Sequence, residues 1–350
     1  MKTGHLRLLI LTLLFARSAA AQTETVVTGD LSQRLDSFVT EWAHQGFAGA
    51  VLVAKNDEVV LLKGYGMADP ARAYPNGPGT VFDMGSIVKD FTLAAILKLE
   101  EQDRLRVADP LGTFFPEAPK DKAHITVDQV IRMSAGFHQY HDDSGDFQEM
   151  SRDEAMQRIL AQPLLFKPGT DRAYSNSGYT LLAAIVELVS GESFHGFLRA
   201  HLFEPAGMTS TGFYGERTVP DELVASGHGA LASYGERNAP QYWPETTWAL
   251  MGSGGVFGSL MDLYQWHRAL REGRVLAGEA LERYWAYRSP PADAEGRRVR
   301  IMAGGNDFGF VFVFLHLLDE DGLIIFAQNN NPNGEEDPEF VRGLIRVFRD

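Results

Sequence analysis

Residues 82–101 read FDMGSIVKDFTLAAILKLEE. From Ser86 to Glu101 the run is strongly apolar and free of Gly and Pro, which predicts a long apolar helix. Ser86 and Lys89 stand at its start. Residues three apart share a helical face, so the hydroxyl and the amine come within hydrogen-bonding reach. A helix N-terminus favours the alkoxide that develops when a serine loses its proton, and a neighbouring lysine amine can accept that proton. Ser-x-x-Lys recurs by chance, so the pair needs company before it signifies a reaction.

Outward from this helix, Leu31–Trp42 carries apolar residues at 31, 35, 38, 39 and 42, the spacing of an amphipathic helix. Two β-rich runs follow, 48–54 and 59–65, and Asn56-Asp57 between them predicts a hairpin. After a Pro/Gly-rich loop at 70–80, Thr126-Val127-Asp128-Gln129 is a capping box opening a short helix to Met133. Further helices are expected over 179–190, stopped by Gly191, and over 260–271, ended by Gly273. Strands return at 298–303, 309–318 and 323–328, and Phe340–Phe348 closes the chain as a helix. The simplest packing joins the first hairpin and the last strands into one antiparallel sheet. The helical middle becomes an inserted lobe, with a cleft between the two.

Tyr174-Ser175-Asn176 supplies the company. A tyrosine beside the nucleophile can relay a proton to the leaving group, and an asparagine amide can hold a substrate carbonyl. Phe166-Lys167-Pro168-Gly169-Thr170 precedes this triplet, and Ser177-Gly178-Tyr179 leads from it into the next helix.

These segments together resemble the class C β-lactamase-related serine hydrolases. Phe82 to Leu111 is similar to their nucleophile segment, and Met133-Ser134-Ala135-Gly136-Phe137 to their short turn after the next helix. Phe166 to Gly191 is similar to their Pro-Gly, Tyr-x-Asn and helix block; Phe203 to Met208, Gly254-Gly255-Val256 and Asp262 match later landmarks. The resemblance spans 31–328 and combines Ser-x-x-Lys with Tyr-x-Asn in order. It implies an α/β (α+β) fold of the β-lactamase/transpeptidase type, an antiparallel sheet flanked by helices with an inserted mainly helical lobe. The sheet lobe is expected over about 31–85 and 298–350, the helical lobe over about 102–260. It further implies an acyl-enzyme on Ser86, with Lys89 as base, Tyr174 as proton relay and Asn176 orienting the substrate.

One departure narrows this. The third motif of these hydrolases is a cation, any residue, then Gly, and the Gly309-Phe310 landmark aligns it with Ala303-Gly304-Gly305. Ala303 then stands where the cation should be, while Gly304 and Gly305 remain as substrate-binding backbone. The N–H groups of Ser86 and Asn306 would form the oxyanion hole, since backbone donors need no particular side chain. Without the cation, carboxylated β-lactams and peptide C-termini are disfavoured and neutral esters or amides favoured, unless Arg298 or Arg300 compensates.

Composition limits the remaining possibilities. Met1-Lys2 and Arg7, an apolar run Leu8–Ala16, and Ser18-Ala19-Ala20-Ala21 read as a signal peptide over 1–21. The apolar run is too short for a permanent membrane anchor. With no cysteine anywhere, an exported chain has no disulfides, which suits a bacterial periplasm or secretion. A formal net charge of −14 argues against nucleic acid as a partner. Oligomeric state is not indicated.

Two features mimic sites. His138, His141, Asp142, Asp143 and Asp146 match no metal-ligand spacing and read as a solvated loop, so neither metal nor cofactor is expected. Gly252–Gly258 reads as a tight turn before a helix, not a phosphate cradle. Within one fold two functions compete: a hydrolase of small esters, amides or D-amino-acid peptides, and a non-hydrolytic penicillin- or peptide-binding protein. Ala303 alone favours the second.

Overall fold

The structure is a computed structural model that describes residues 24–141, 147–229 and 237–350. The expected signal peptide and the loop acids Asp142, Asp143 and Asp146 lie outside these residues.

β1 (Val26–Val27) leads into α1 (Gly29–His44) and then into the hairpin of β2 (Gly49–Lys55) and β3 (Glu58–Tyr65). Asn56 and Asp57 both take left-handed backbone, φ 52° and 63°, as a two-residue hairpin turn requires. β4 (Met67–Asp69) and β5 (Tyr74–Pro75) form a small ribbon; β6 (Val81–Asp83) then rises to a tight Gly85–Ile87 turn and α2 (Val88–Glu101). The middle holds α3 (Val127–Ile131), α4 (Arg152–Ala161), α5 (Asn176–Ser190), α6 (Phe194–Leu198) and α7 (Glu204–Ala206). β7 (Gly212–Phe213), β8 (Val256–Ser259), α8 (Leu260–Arg271) and α9 (Gly278–Tyr287) follow. β9 (Val299–Gly305), β10 (Val311–Leu317), β11 (Gly322–Gln328) and α10 (Pro338–Arg349) end the chain.

The main sheet runs β1-β3-β2-β11-β10-β9, antiparallel throughout, so the front hairpin and the last strands do share one sheet. Both faces are covered. Val51, Val53, Leu61, Val313, Leu315, Ile324 and Phe326 pack beneath α1 and α10, where Phe340 stacks on Phe38 at 5.8 Å. Leu52, Leu62, Phe312, Phe314 and Ile325 point the other way, into the core shared with α2 and α5. Burial on both faces is why β10 and β11 read as continuous apolar runs.

The capping box at Thr126 forms in full: Thr126 Oγ1 accepts from the Gln129 N–H at 3.3 Å, and Gln129 Oε1 accepts from the Thr126 N–H at 3.0 Å. Gly191 ends α5 in left-handed backbone, φ 74°. The expected Ser86–Glu101 helix begins two residues late, because Ser86 belongs to the tighter turn ahead of α2. Gly252–Gly258 is not simply a turn, since Val256–Ser259 is the central strand of a second sheet, β6-β8-β7. That sheet anchors the segment entering Ser86. Among the described residues no single helix is long and apolar enough to cross a membrane.

Candidate active site

Ser86 Oγ lies 3.0 Å from Lys89 Nζ and 2.5 Å from the Tyr174 hydroxyl. Three separate pieces of chain meet here. The turn after β6 presents Ser86, the first turn of α2 presents Lys89, and the loop before α5 presents Tyr174. Lys89 is 4% exposed and also donates to the Ser253 carbonyl at 3.0 Å. Its Nζ sits over the Tyr174 ring at 4.8 Å and the Tyr179 ring at 5.8 Å, which fixes a flexible side chain against one hydroxyl.

Tyr174 is 44% exposed along the cleft, yet burial around its hydroxyl raises its pKa above that of an ordinary tyrosine, against the opposing effect of the bond to Ser86. It is therefore a neutral phenol through the neutral pH range, able to donate and accept at once. Asn176 opens α5, which Ser175 caps by accepting from the Gly178 N–H at 2.9 Å. The Oδ1 atom of Asn176 is buried and accepts no hydrogen bond, so it is an acceptor without a donor in the cavity wall.

The opposite wall is the end of edge strand β9. A Cβ on Gly304 would lie 2.2 Å from the Met84 carbonyl oxygen and 2.5 Å from the Ser86 nitrogen. One on Gly305 would lie 1.9 Å from the Gly334 carbonyl oxygen. Gly304 has to be glycine for β9 to close on the Ser86 turn, and Gly305 for the Gly334 segment to lie over the strand's end.

Pairing corrects the expected oxyanion donor. The Asn306 N–H is already donated to the Phe310 carbonyl at 3.1 Å, so it is turned inward to β10 and away from Ser86. With Gly305 opposite Val311, alternation along the strand leaves the Gly305 N–H on the outer edge. That nitrogen is 2.6 Å from where a Gly85 Cβ would stand. The third motif is displaced by the same single residue. Ala303 packs with the core under α1 and α10, and Met302 packs on the α2 side. A one-residue slip exchanges the two faces of a strand, so Met302, not Ala303, stands on the α2 face where the motif's side chain would project. Neither is a cation.

The arginines do not compensate. Arg298 is paired with Asp319 at 2.9 Å, and Arg300 is buried against Trp285, donating to the Arg288 carbonyl at 2.8 Å. The cavity over Ser86 has a volume of about 530 Å³, and no Lys or Arg is among the described residues that line it.

Several supports were not visible in the sequence. Asp83, buried at the foot of the cavity, accepts from the Tyr214 hydroxyl and the Asn306 amide, both at 2.7 Å, and from the Gly85 N–H at 3.1 Å. It ties the Ser86 turn to the end of β9. Behind Lys89, Asp90 accepts from Trp266 at 3.0 Å, Tyr284 at 2.5 Å and Arg288 at 2.7 Å, clamping the first turn of α2. Nothing short of the fold brings these positions together. His138 and His141 stay outside the cavity wall: His138 meets the Pro163 carbonyl at 2.9 Å and His141 meets Ser177 at 3.4 Å. Among the described residues no group of His, Asp and Glu is placed to hold a metal ion.

The Ser86 turn, a buried lysine, a Tyr-x-Asn loop and a glycine-edged strand around one cleft define a protein of the β-lactamase/transpeptidase-like fold. The sequence matches the Beta-lactamase family over residues 33–310, and the chain belongs to that family. It is 31% identical over 268 residues to PbpX of Bacillus subtilis (strain 168), a match covering 76% of this chain and 65% of that protein. Among solved structures, the D-amino acid amidase of Ochrobactrum anthropi SV3 superposes with a TM-score of 0.74 at 19% identity, covering 91% of this chain and 97% of that one. EstCE1, described as a hydrolase with promiscuous acyltransferase activity, superposes at 0.73 and 17% identity, covering 91% and 98%.

Proposed function

We propose that this chain is an exported serine hydrolase working through an acyl-enzyme on Ser86. One observation carries the reading: a single hydroxyl oxygen meets both a buried lysine amine and a neutral tyrosine phenol. In the acylation step the Lys89 amine takes the Ser86 proton as Oγ attacks the substrate carbonyl carbon. The negative charge that develops on the carbonyl oxygen is met by the Ser86 and Gly305 N–H groups. Tyr174 passes a proton to the departing oxygen or nitrogen, the bond to the leaving group breaks, and the acyl group remains on Ser86. Water then attacks the ester, losing its proton to the same Lys89 and Tyr174 pair as Ser86 is released. Asn176 orients the acyl chain.

The substrates are small esters, amides or D-amino-acid peptides. The amidase and the acyl-transferring hydrolase among the structural neighbours support that range, and the cavity without a cation disfavours carboxylated ligands. Export by residues 1–21 to a periplasm or the medium belongs to the same proposal. Turnover of p-nitrophenyl butyrate by the wild type, lost in Ser86→Ala, is the expected result. Equal turnover by both would remove Ser86 from the chemistry. An inert wild type would favour a binding protein.

A further inference from the structure

Glu335 and Glu336 line the cavity that contains Ser86, and no ion pair among the described residues involves either of them. Their backbone is held in place. The Asn331 side-chain amide donates to the Glu335 carbonyl at 2.7 Å, and the Asn331 N–H donates to the Gly309 carbonyl at 3.0 Å. Gly334, at φ 63°, rests its carbonyl on Gly305, which sets the two acids just beyond the end of β9. The third acid of the wall, Asp83, is already engaged by Tyr214, Asn306 and Gly85. Aromatic rings complete the lining: Tyr140, Phe147, Tyr214 and Phe308, with Phe147 edge-on to Phe308 at 5.4 Å. Carboxylates beside aromatic faces are the surroundings that stabilise an alkylammonium group. Asn176, whose buried Oδ1 has no hydrogen-bond partner, lines the same cavity.

We propose that this cavity selects substrates carrying an ammonium group on the acyl or the leaving side, through Glu335 and Glu336, and rejects their carboxylated counterparts. The inference rests on the hydrolase reading and deepens it. The wall that lacks a cation is not merely vacant of charge; it has the opposite sign.

Two substrate series test this. The p-nitrophenyl esters of 6-aminohexanoate, hexanoate and adipate place a positive, neutral or negative group on the acyl side. Butyrylthiocholine, its neutral 3,3-dimethylbutyl isostere and its 3-carboxypropyl counterpart do so on the leaving side. Thiol release is read without background because the chain has no cysteine. In at least one series kcat/KM is expected to fall about tenfold from cation to neutral and again from neutral to anion at low salt. The spread should shrink at high salt, and collapse in the Glu335→Gln/Glu336→Gln double variant. Neutral esters turned over with no charge preference, or a preference that survives both substitutions, overturn this inference and leave the hydrolase reading standing. Failure to turn over any neutral ester, with Ser86 unreactive to a fluorophosphonate, overturns the hydrolase reading and this inference with it.

Discussion

The two walls of the cleft are built on opposite principles. On the nucleophile side every group is held by another: Ser86 by Lys89 and Tyr174, Lys89 by Ser253, and the turn itself by Asp83. On the β9 side the contacts are backbone against backbone, with Gly304 and Gly305 wedged between Met84, Ser86 and Gly334. The side chains that line the cavity there are Ala303, Glu335 and Glu336, and no cation among the described residues. The covalent chemistry proposed at Ser86 would tolerate little change, because proton transfer demands atoms within hydrogen-bonding distance. Recognition on the far wall can change sign while the strand still supplies its N–H. The two functions of the cleft are therefore separable.

The largest effects should come from the nucleophile wall. Ser86→Ala is expected to lower kcat for p-nitrophenyl butyrate by roughly 10⁴-fold or more with unchanged circular dichroism, as removal of a nucleophile does elsewhere. Tyr174→Phe keeps the ring over Lys89 but removes the relay; a loss on the order of 10²–10³-fold in kcat, with KM little altered, is the expected outcome of steady-state kinetics. A loss confined to KM would make Tyr174 a binding group only.

The scaffold beneath this wall carries its own pH signature. Burial pushes the Asp262 carboxyl up to about 6, although Thr211 and the N–H groups of Ser259's turn and Ser210 pull the other way. An acid whose pKa is raised by folding stabilises the protein below its unfolded value, and that contribution is lost as pH rises through about 6. His195 and His316, pushed down to about 4 by burial, act in the opposite sense, losing stability as pH falls. Comparing wild type with Asp262→Asn in urea at pH 4 and pH 7 isolates the acid. The wild type should lose about 2 kcal/mol more than the variant over that interval. Parallel changes in both would place the titration elsewhere.

The smallest effect probes the far wall. Met302→Lys introduces a cation on the α2 face of β9, and should raise kcat/KM for the p-nitrophenyl ester of adipate about tenfold over hexanoate relative to the wild type. Ala303 lines the cavity from the opposite face of β9, so Ala303→Lys should shift that ratio less than Met302→Lys while lowering the urea midpoint. The reverse result would restore the register read from the sequence alone.

Much of the fold was legible because its signals are local. The Asn56-Asp57 hairpin, the Thr126 capping box, the Leu260–Arg271 helix and the Ser-x-x-Lys spacing each depend on residues a few positions apart. α4 and α9 escaped notice because each is ten residues long with only two or three buried side chains, a weak periodic signal. The β6-β8-β7 sheet escaped because its strands are two to four residues long and gain definition only by pairing with segments far along the chain, Val81 with Ser259 and Gly212 with Phe257. At β9 the strand was expected and its register was not. Sequence spacing can align a Gly with a Gly, but which N–H faces outward is decided by β10, through the bond from Asn306 to Phe310. The acids at 335 and 336 lie in a turn-rich connector whose place over Gly305 only the folded chain shows.

The central claim, acyl chemistry at Ser86, is tested most directly by covalent capture. Wild type and Ser86→Ala are incubated with a fluorophosphonate and examined by intact mass spectrometry, followed by peptide mapping. One adduct per wild-type chain on the peptide containing Ser86, and none on Ser86→Ala, is the predicted result. An unlabelled wild type, or an adduct that persists in Ser86→Ala, would contradict it.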